Sequence, residues 1–237
     1  MKAIVLCGGL GTRLGVLTRN TPKPMLSVAG RPFIAHVLDR LCIPELEGIV
    51  LAAGFAWEHL HSFVGECWRT LPVQYSVELQ ALGTGGAIAL AMNQLNLAEA
   101  IVINGDTLFD IDLQSFLQQS AQRADAPSTT WLALRAVDDC TRYGRVETDV
   151  HGRVQSFGEK GHSGAGWING GIYRLRRAEL DRFGAIPFSL ESDYLAVDCS
   201  RQLMFGIQSA GYFIDIGLPA DLARAEADLS VASTSAI

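Results

Sequence analysis

No cysteine of this chain stands in a C-x-x-C pair. The five present, Cys7, Cys42, Cys67, Cys140 and Cys199, are odd in number and scattered, which excludes a disulfide framework and fits a reduced cytoplasmic protein whose thiols act as small buried hydrophobes. Positive charge is also short: 19 Lys and Arg against 25 Asp and Glu leave a formal charge of −6. A nucleic-acid partner needs a basic face, so none is expected. No apolar run approaches the roughly 20 residues of a membrane span, and an N-terminus with one lysine before a short apolar run does not read as a signal peptide. A soluble, cytoplasmic protein without a membrane partner follows. Two phosphate-binding devices are missing as well. The chain has no Gly-Lys followed by Ser or Thr, and Leu14 stands where the dinucleotide fingerprint needs its third glycine. The second strand, residues 48–53, runs into Gly54 without the acid that would hold a ribose.

What is there begins at residue 3. Ala3-Ile4-Val5-Leu6 is an apolar run of the kind buried on both faces of a parallel sheet. It stops at Gly8 and Gly9, and Gly11-Thr12-Arg13 follow. Glycines here free the backbone for positive φ and let a ligand approach without meeting a Cβ, while successive N–H groups form an anion nest. Arg13 offers a planar fork for two phosphate oxygens. Lys23, between Pro22 and Pro24, is expected to present its ammonium from a stiff extended segment rather than from a helix.

At 237 residues with 49% hydrophobic content, the chain suits one large α/β domain and is too short for two. Periodicity predicts helices over residues 32–41, 57–64, 113–121 and 219–229, and one opened by the second glycine turn, Leu82-Gly83-Thr84-Gly85-Gly86. Strands are predicted over 73–78, 101–106, 131–137, 167–173, 203–208 and 211–217, with a hairpin turning at 149–152. Asp112 and Ser189 are helix caps on this reading, and 121–128 is a polar loop. His36, His59, His61 and His162 are read as packing or surface residues. Residues 1–229 are expected to form one domain, with an inner boundary near residue 121. Residues 230–237 are expected to be a disordered tail.

Gly-Gly-Leu-Gly-Thr-Arg-Leu with Pro-Lys-Pro-Met, then Asn104-Gly105-Asp106, Tyr143-Gly144, Glu159-Lys160, Trp167-Ile168-Asn169-Gly170-Gly171 and Asp215 in an apolar strand, together resemble the sugar-1-phosphate nucleotidyltransferases. The resemblance runs from Lys2 to about Leu229 and implies that residues 1–120 are mainly nucleotide-binding and 121–229 mainly sugar-phosphate-binding. It implies a Rossmann-like three-layer α/β/α sandwich with a mixed, mostly parallel central sheet. It implies a nucleotide site from Leu6, Gly8, Gly9, Gly11, Thr12, Arg13, Lys23, Glu78, Gly83 and Thr84. A sugar-phosphate site would be formed by Asn104, Gly144, Glu159, Lys160, Asn169 and Gly170. Asp106 and Asp215 would hold Mg2+, and Arg13, Lys23, Asp106 and Lys160 would carry catalysis. A buried carboxylate must in any case be paired, hydrogen-bonded or metal-bound.

Glu78 can only accept hydrogen bonds, and guanine offers adjacent N1–H and N2–H donors that two carboxylate oxygens can take side by side. That chemistry favours GTP. Within the family the chain looks most like the branch that transfers GMP to D-glycero-α-D-manno-heptose 1-phosphate for bacterial capsule, S-layer or lipopolysaccharide sugars. Gln80-Ala81 depart from the pair common at that place in the base pocket. Mannose 1-phosphate guanylyltransferase and a uridylyltransferase are the alternatives within the enzyme class. A non-catalytic nucleotide-sugar sensor should have lost one of Arg13, Lys23, Asp106 or Asp215, and all four are present. No appended β-helical acyltransferase domain is expected, and a homo-oligomer is left open.

Overall fold

The structure, a computed structural model, describes residues 1–9, 11–122, 130–161, 163–184, 186–199 and 204–234. In chain order its strands and helices are β1 (Lys2–Leu6), β2 (Ser27–Val28), β3 (Arg31–Pro32), α1 (Phe33–Asp39), β4 (Gly48–Ala53), α2 (Trp57–Val64), β5 (Cys67–Trp68) and β6 (Leu71–Val77). There follow α3 (Gly83–Gln94), β7 (Glu99–Asn104), β8 (Thr107–Phe109), α4 (Leu113–Gln122), β9 (Thr130–Val137), β10 (Arg145–Thr148), β11 (Val154–Phe157) and β12 (Gly166–Arg176). The last are α5 (Arg177–Leu180), a π-helix (Leu190–Leu195) running into α6 (Ala196–Asp198), β13 (Met204–Ser209), β14 (Phe213–Asp215) and α7 (Pro219–Thr234).

One mixed sheet organises the domain. Its middle, β6-β4-β1-β7, is parallel, and β12 then pairs antiparallel with β7, β9 and β10. Register and side-chain period together divide the core. Ile4 lies opposite Val50 and Val102, and all three point to the face covered by α3, where Ile88, Ala91 and Met92 are fully buried. Val5 lies opposite Leu51 and Ile103 and points to the other face, where Phe33, Val37 and Leu38 of α1 and Phe116 of α4 meet it. Alternate residues of continuous apolar strands thus fill two layers, which is why these strands carry no polar face. The expected three-layer sandwich is what forms. No helix among the described residues is long and apolar enough to cross a membrane.

Strand order places the site. From β1 the chain steps to β4 and β6 on one side, then returns to lay β7 on the other side of β1. Ligands of open α/β sheets bind at the carboxyl ends of strands where the order reverses. Here those ends are Leu6 and Asn104, joined by a hydrogen bond from the Gly105 N–H to the Leu6 carbonyl at 2.9 Å. A Cβ on Gly105 would stand 2.6 Å from that carbonyl oxygen, so only glycine lets the two strand ends close up.

Several expectations need correction. Lys23 does not sit on an extended segment: it opens a single 3-10 turn, Lys23–Met25, with Pro24 at an early position where its missing N–H costs nothing. The closing helix runs past Leu229 to Thr234, because nothing in Ser230-Val231-Ala232-Ser233 stops it. Cys67 is exposed and Cys42 half-buried, while Cys7, Cys140 and Cys199 are buried free thiols. The predicted caps hold: Asp112 accepts from the Ser115 N–H at 2.9 Å and Ser189 from the Ser192 N–H at 3.2 Å. His36 bonds the Val28 carbonyl at 2.9 Å, and His61 packs on Trp57 and Tyr75. His162, residues 123–128 of the polar loop, Leu203 and residues 235–237 lie outside the described residues.

Gly105→Ala should therefore cost about 1–3 kcal/mol, the range for overfilling a packed interior. Its denaturation midpoint, compared with wild type at unchanged slope, measures this.

Candidate active site

A cleft of about 490 Å³ opens at this reversal point. Leu6, Gly8, Gly9, Gly11, Thr12, Lys23, Glu78, Gly83 and Thr84 line it, together with Asn104 and Asp106. Every residue expected for the nucleotide is there except Arg13. That side chain is exposed, on the 3-10 segment Thr12–Thr18 at the rim, and does not line the cleft. The first turn needs its glycines for two different reasons. Gly11 has φ +61, in the left-handed region, and a Cβ there would meet Thr18 at 2.8 Å. Gly8 instead makes room for a neighbour.

That neighbour is Glu78. A Cβ on Gly8 or on Gly54 would stand 2.9 Å from Glu78 Oε1, so the carboxylate lies in a slot between two bare stretches of backbone. Its other oxygen, Oε2, accepts the Leu82 N–H at 3.0 Å and holds the second glycine loop. Burial raises its pKa, opposed by the Leu82 hydrogen bond. The expectation of two uncommitted oxygens for guanine is thus modified: one already serves the loop and would have to be shared.

The second glycine turn does not leave a bare helix N-terminus. Gly85 and Gly86 N–H of α3 both donate to the Phe188 carbonyl, at 3.0 and 3.3 Å, and the Leu190 N–H donates to Thr84 Oγ1 at 2.9 Å. These donors are spent within the protein. Gly85 is needed because the Phe188 ring would lie 2.1 Å from a Cβ.

The centre of the site is a cation between two carboxylates. Lys23 Nζ lies 2.5 Å from Asp106 Oδ2 and 3.2 Å from Asp215 Oδ1. The aspartates come together because β14 pairs antiparallel with β8 directly after Asp106, with Asp215 opposite Thr107 and the Ile216 N–H on the Asp106 carbonyl at 3.1 Å. Burial is the largest effect on Lys23 and would lower its pKa, but the two carboxylates together outweigh it and the pKa is raised. Asp215 is raised by burial and then by Asp106, with Lys23 opposing. Cys7, beside them, is pushed far up by burial and by Asp106, so its thiol stays protonated and is no nucleophile.

Of the residues expected for the sugar phosphate, Asn169 and Asn104 reach this region through Tyr173. Asn169 Nδ2 donates to the buried Tyr173 hydroxyl at 2.7 Å, and Asn104 also hydrogen-bonds that hydroxyl. Gly144 and Gly170 have packing reasons of their own: a Cβ would lie 2.6 Å from the Gly158 carbonyl oxygen in one case and 2.5 Å from the Phe109 ring in the other. Glu159 and Lys160 are exposed on the turn after β11. One residue was missed. Glu191, on the π-helix, accepts from Asn169 Nδ2 at 3.1 Å and interacts electrostatically with Lys160, Asp106 and Asp215. Its local pattern, an acid two residues after a cap, reads as an ordinary first-turn carboxylate, so nothing local marks it.

Whether the aspartates suit a metal can be judged from their donors. No group of three or more His, Cys, Asp or Glu among the described residues forms a metal cage. Mg2+ does not need one: it keeps several waters and takes one or two carboxylates plus substrate phosphates. An all-oxygen pair gathered on one ammonium fits that ion and not structural zinc.

A family model described as nucleotidyl transferase matches residues 2–230. The chain is 35% identical to D-glycero-alpha-D-manno-heptose 1-phosphate guanylyltransferase of Aneurinibacillus thermoaerophilus, over 97% of this chain and 98% of that protein. It is 36% identical to mannose-1-phosphate guanylyltransferase of Mycobacterium tuberculosis, over 97% of this chain but 64% of that one. The crystal structure of HddC from Yersinia pseudotuberculosis complexed with GMP-PN superposes with a TM-score of 0.81 at 31% identity, covering 96% of this chain and 99% of that chain.

Lys23→Met would leave two carboxylates facing each other without a cation. Stability at neutral pH should fall by about 2 kcal/mol, less than for a fully buried pair because each aspartate is about one-third exposed. The deficit should shrink as pH is lowered, since Asp215, already raised, then takes a proton. Thermal melts across pH check both.

Proposed function

The chain belongs to the nucleotidyl transferase family, and on that premise we propose that it transfers GMP from GTP to D-glycero-α-D-manno-heptose 1-phosphate, releasing pyrophosphate. The nucleotide-activated heptose would serve bacterial surface-polysaccharide synthesis. The observation that carries the reading is the meeting of Lys23 with Asp106 and Asp215 at the mouth of a glycine-lined cleft. Heptose is preferred because the relative that uses it matches along nearly its whole length. Mannose 1-phosphate is the second reading, favoured by the mycobacterial relative.

The chemistry needs no activated serine or histidine. The attacking sugar phosphate has a second pKa of about 6 and is already largely dianionic at neutral pH. What the protein must do is align two anions and offset their repulsion. Asp106 and Asp215 would hold Mg2+, whose contribution when bound is neutralisation of phosphate charge. Lys23, poised on the same carboxylates, would neutralise charge at the α-phosphate. Arg13 at the rim would take the departing phosphates, and Lys160, exposed on the turn after β11, would take the acceptor's phosphate. Glu78 reads guanine with the oxygen facing Gly8 and Gly54.

Purified protein with Mg2+ and each nucleoside triphosphate, set against a panel of sugar 1-phosphates, should release pyrophosphate fastest with GTP and the heptose. A clear preference for mannose 1-phosphate or for UTP would overturn the assignment. Arg13→Ala should lower the rate by about 10³-fold or more, as loss of a phosphate-stabilising arginine does. A near-normal rate would remove Arg13 from the machinery. Glu78→Gln should raise the KM for GTP with little change in the acceptor KM, because an amide presents one acceptor where the carboxylate presents two.

A further inference from the structure

The π-helix is the least ordinary element of the fold, and it lies between the two halves of the site. Such helices are rare and occur often at functional positions. This one is built firmly. Ser189 caps it, the Ser189 N–H donates to Asp193 Oδ2 at 2.7 Å, and Leu190, Tyr194 and Leu195 are buried. Its start is tied to the nucleotide cleft by the Leu190 N–H on Thr84 Oγ1 at 2.9 Å. Its first solvent-facing side chain is Glu191.

Glu191 meets a fully employed partner. The Asn169 side chain accepts the Gly171 N–H on Oδ1 at 3.1 Å and donates from Nδ2 to Tyr173 at 2.7 Å and to Glu191 Oε1 at 3.1 Å. These bonds fix which way the Asn169 amide points and leave it little to offer a ligand. The acceptor still open is Glu191 Oε2, which has no hydrogen-bond partner among the described residues. The group it can take is restricted by charge. A carboxylate repels phosphate and accepts only from donors, so a sugar hydroxyl satisfies it. Desolvation in the site raises the Glu191 pKa, and Lys160 opposes it; Lys160 is the residue assigned above to the acceptor's phosphate, which puts hydroxyl and phosphate recognition in one region.

We propose that Glu191, held by Asn169 and by the π-helix, binds a hydroxyl of the acceptor sugar and is a specificity-determining residue of the site. The inference rests on the sugar 1-phosphate reading given above. Because Glu191 is exposed to solvent, losing one charged hydrogen bond should cost about 10- to 100-fold in kcat/KM, not the larger factors of a sealed pocket.

The test uses wild type, Glu191→Ala and Glu191→Gln with the preferred sugar 1-phosphate and its monodeoxy analogues, following pyrophosphate release. Gln keeps an oxygen for Asn169, so it guards against a folding defect in the alanine variant. Both variants should raise the acceptor KM by about 10-fold or more while the GTP KM stays unchanged. One deoxy analogue should be penalised with wild type and no longer penalised with Glu191→Ala. If every deoxy analogue is penalised equally in wild type and variant, or if the GTP KM moves as much as the acceptor KM, the assignment is overturned. If wild type releases no pyrophosphate from any pair, the functional reading itself falls and the assignment with it.

Discussion

Two ionised carboxylates do not sit close together in a partly dry site unless something positive stands with them. In this protein that cation is Lys23, bonded to Asp106 and Asp215, and the surrounding elements serve to bring the three groups to one point. The glycine turn after β1 carries the chain away from the sheet, and the short 3-10 turn delivers the lysine. β7 ends at Asp106, and the β8–β14 ladder returns Asp215 beside it. The electrostatic bargain is balanced rather than strongly favourable. Burial works against charge on both Lys23 and Asp215; the two carboxylates outweigh it on Lys23, whereas Asp215 stays raised by burial and by Asp106 with Lys23 opposing.

Close approach of backbone is the second constraint. Gly105 lets β1 and β7 close at the reversal point, and Gly8 with Gly54 makes the slot for Glu78. Each removes a Cβ where another group must lie within van der Waals distance. The same device packs α3 against Phe188, whose carbonyl then takes the helix's first donors. The Phe188–Glu191 segment consequently touches the glycine-lined cleft at one end and Asn169 at the other. The proposed base and acceptor ends of the site are therefore joined by one short segment.

The sheet and its layers were readable because they are set by local rules. Continuous apolar strands flanked by glycine demand burial on both faces, and caps such as Asp112 and Ser189 act over three residues. The limits of that legibility show in particular places. Lys23 between two prolines was read as extended, yet a single 3-10 turn tolerates Pro24 where a longer helix would not. Gly144 and Gly170, attributed to the ligand, also have packing reasons against Gly158 and Phe109 that local sequence does not reveal. Glu191 was overlooked because an acid in a first helical turn is unremarkable until its neighbours across the fold are known.

The sequence by itself determined which residues could bend, which strands must be buried and which side chains carry charge, since sterics, periodicity and ionisation act within a few positions along the chain. Only the tertiary structure decided which charges meet. Asp215 joins Asp106 through one antiparallel register, Glu78 divides its oxygens between a loop and a slot, and Arg13 stands at the rim rather than in the cleft. Those outcomes depend on distances of a few ångströms between segments remote in sequence, and such distances are fixed by the packing of the whole core.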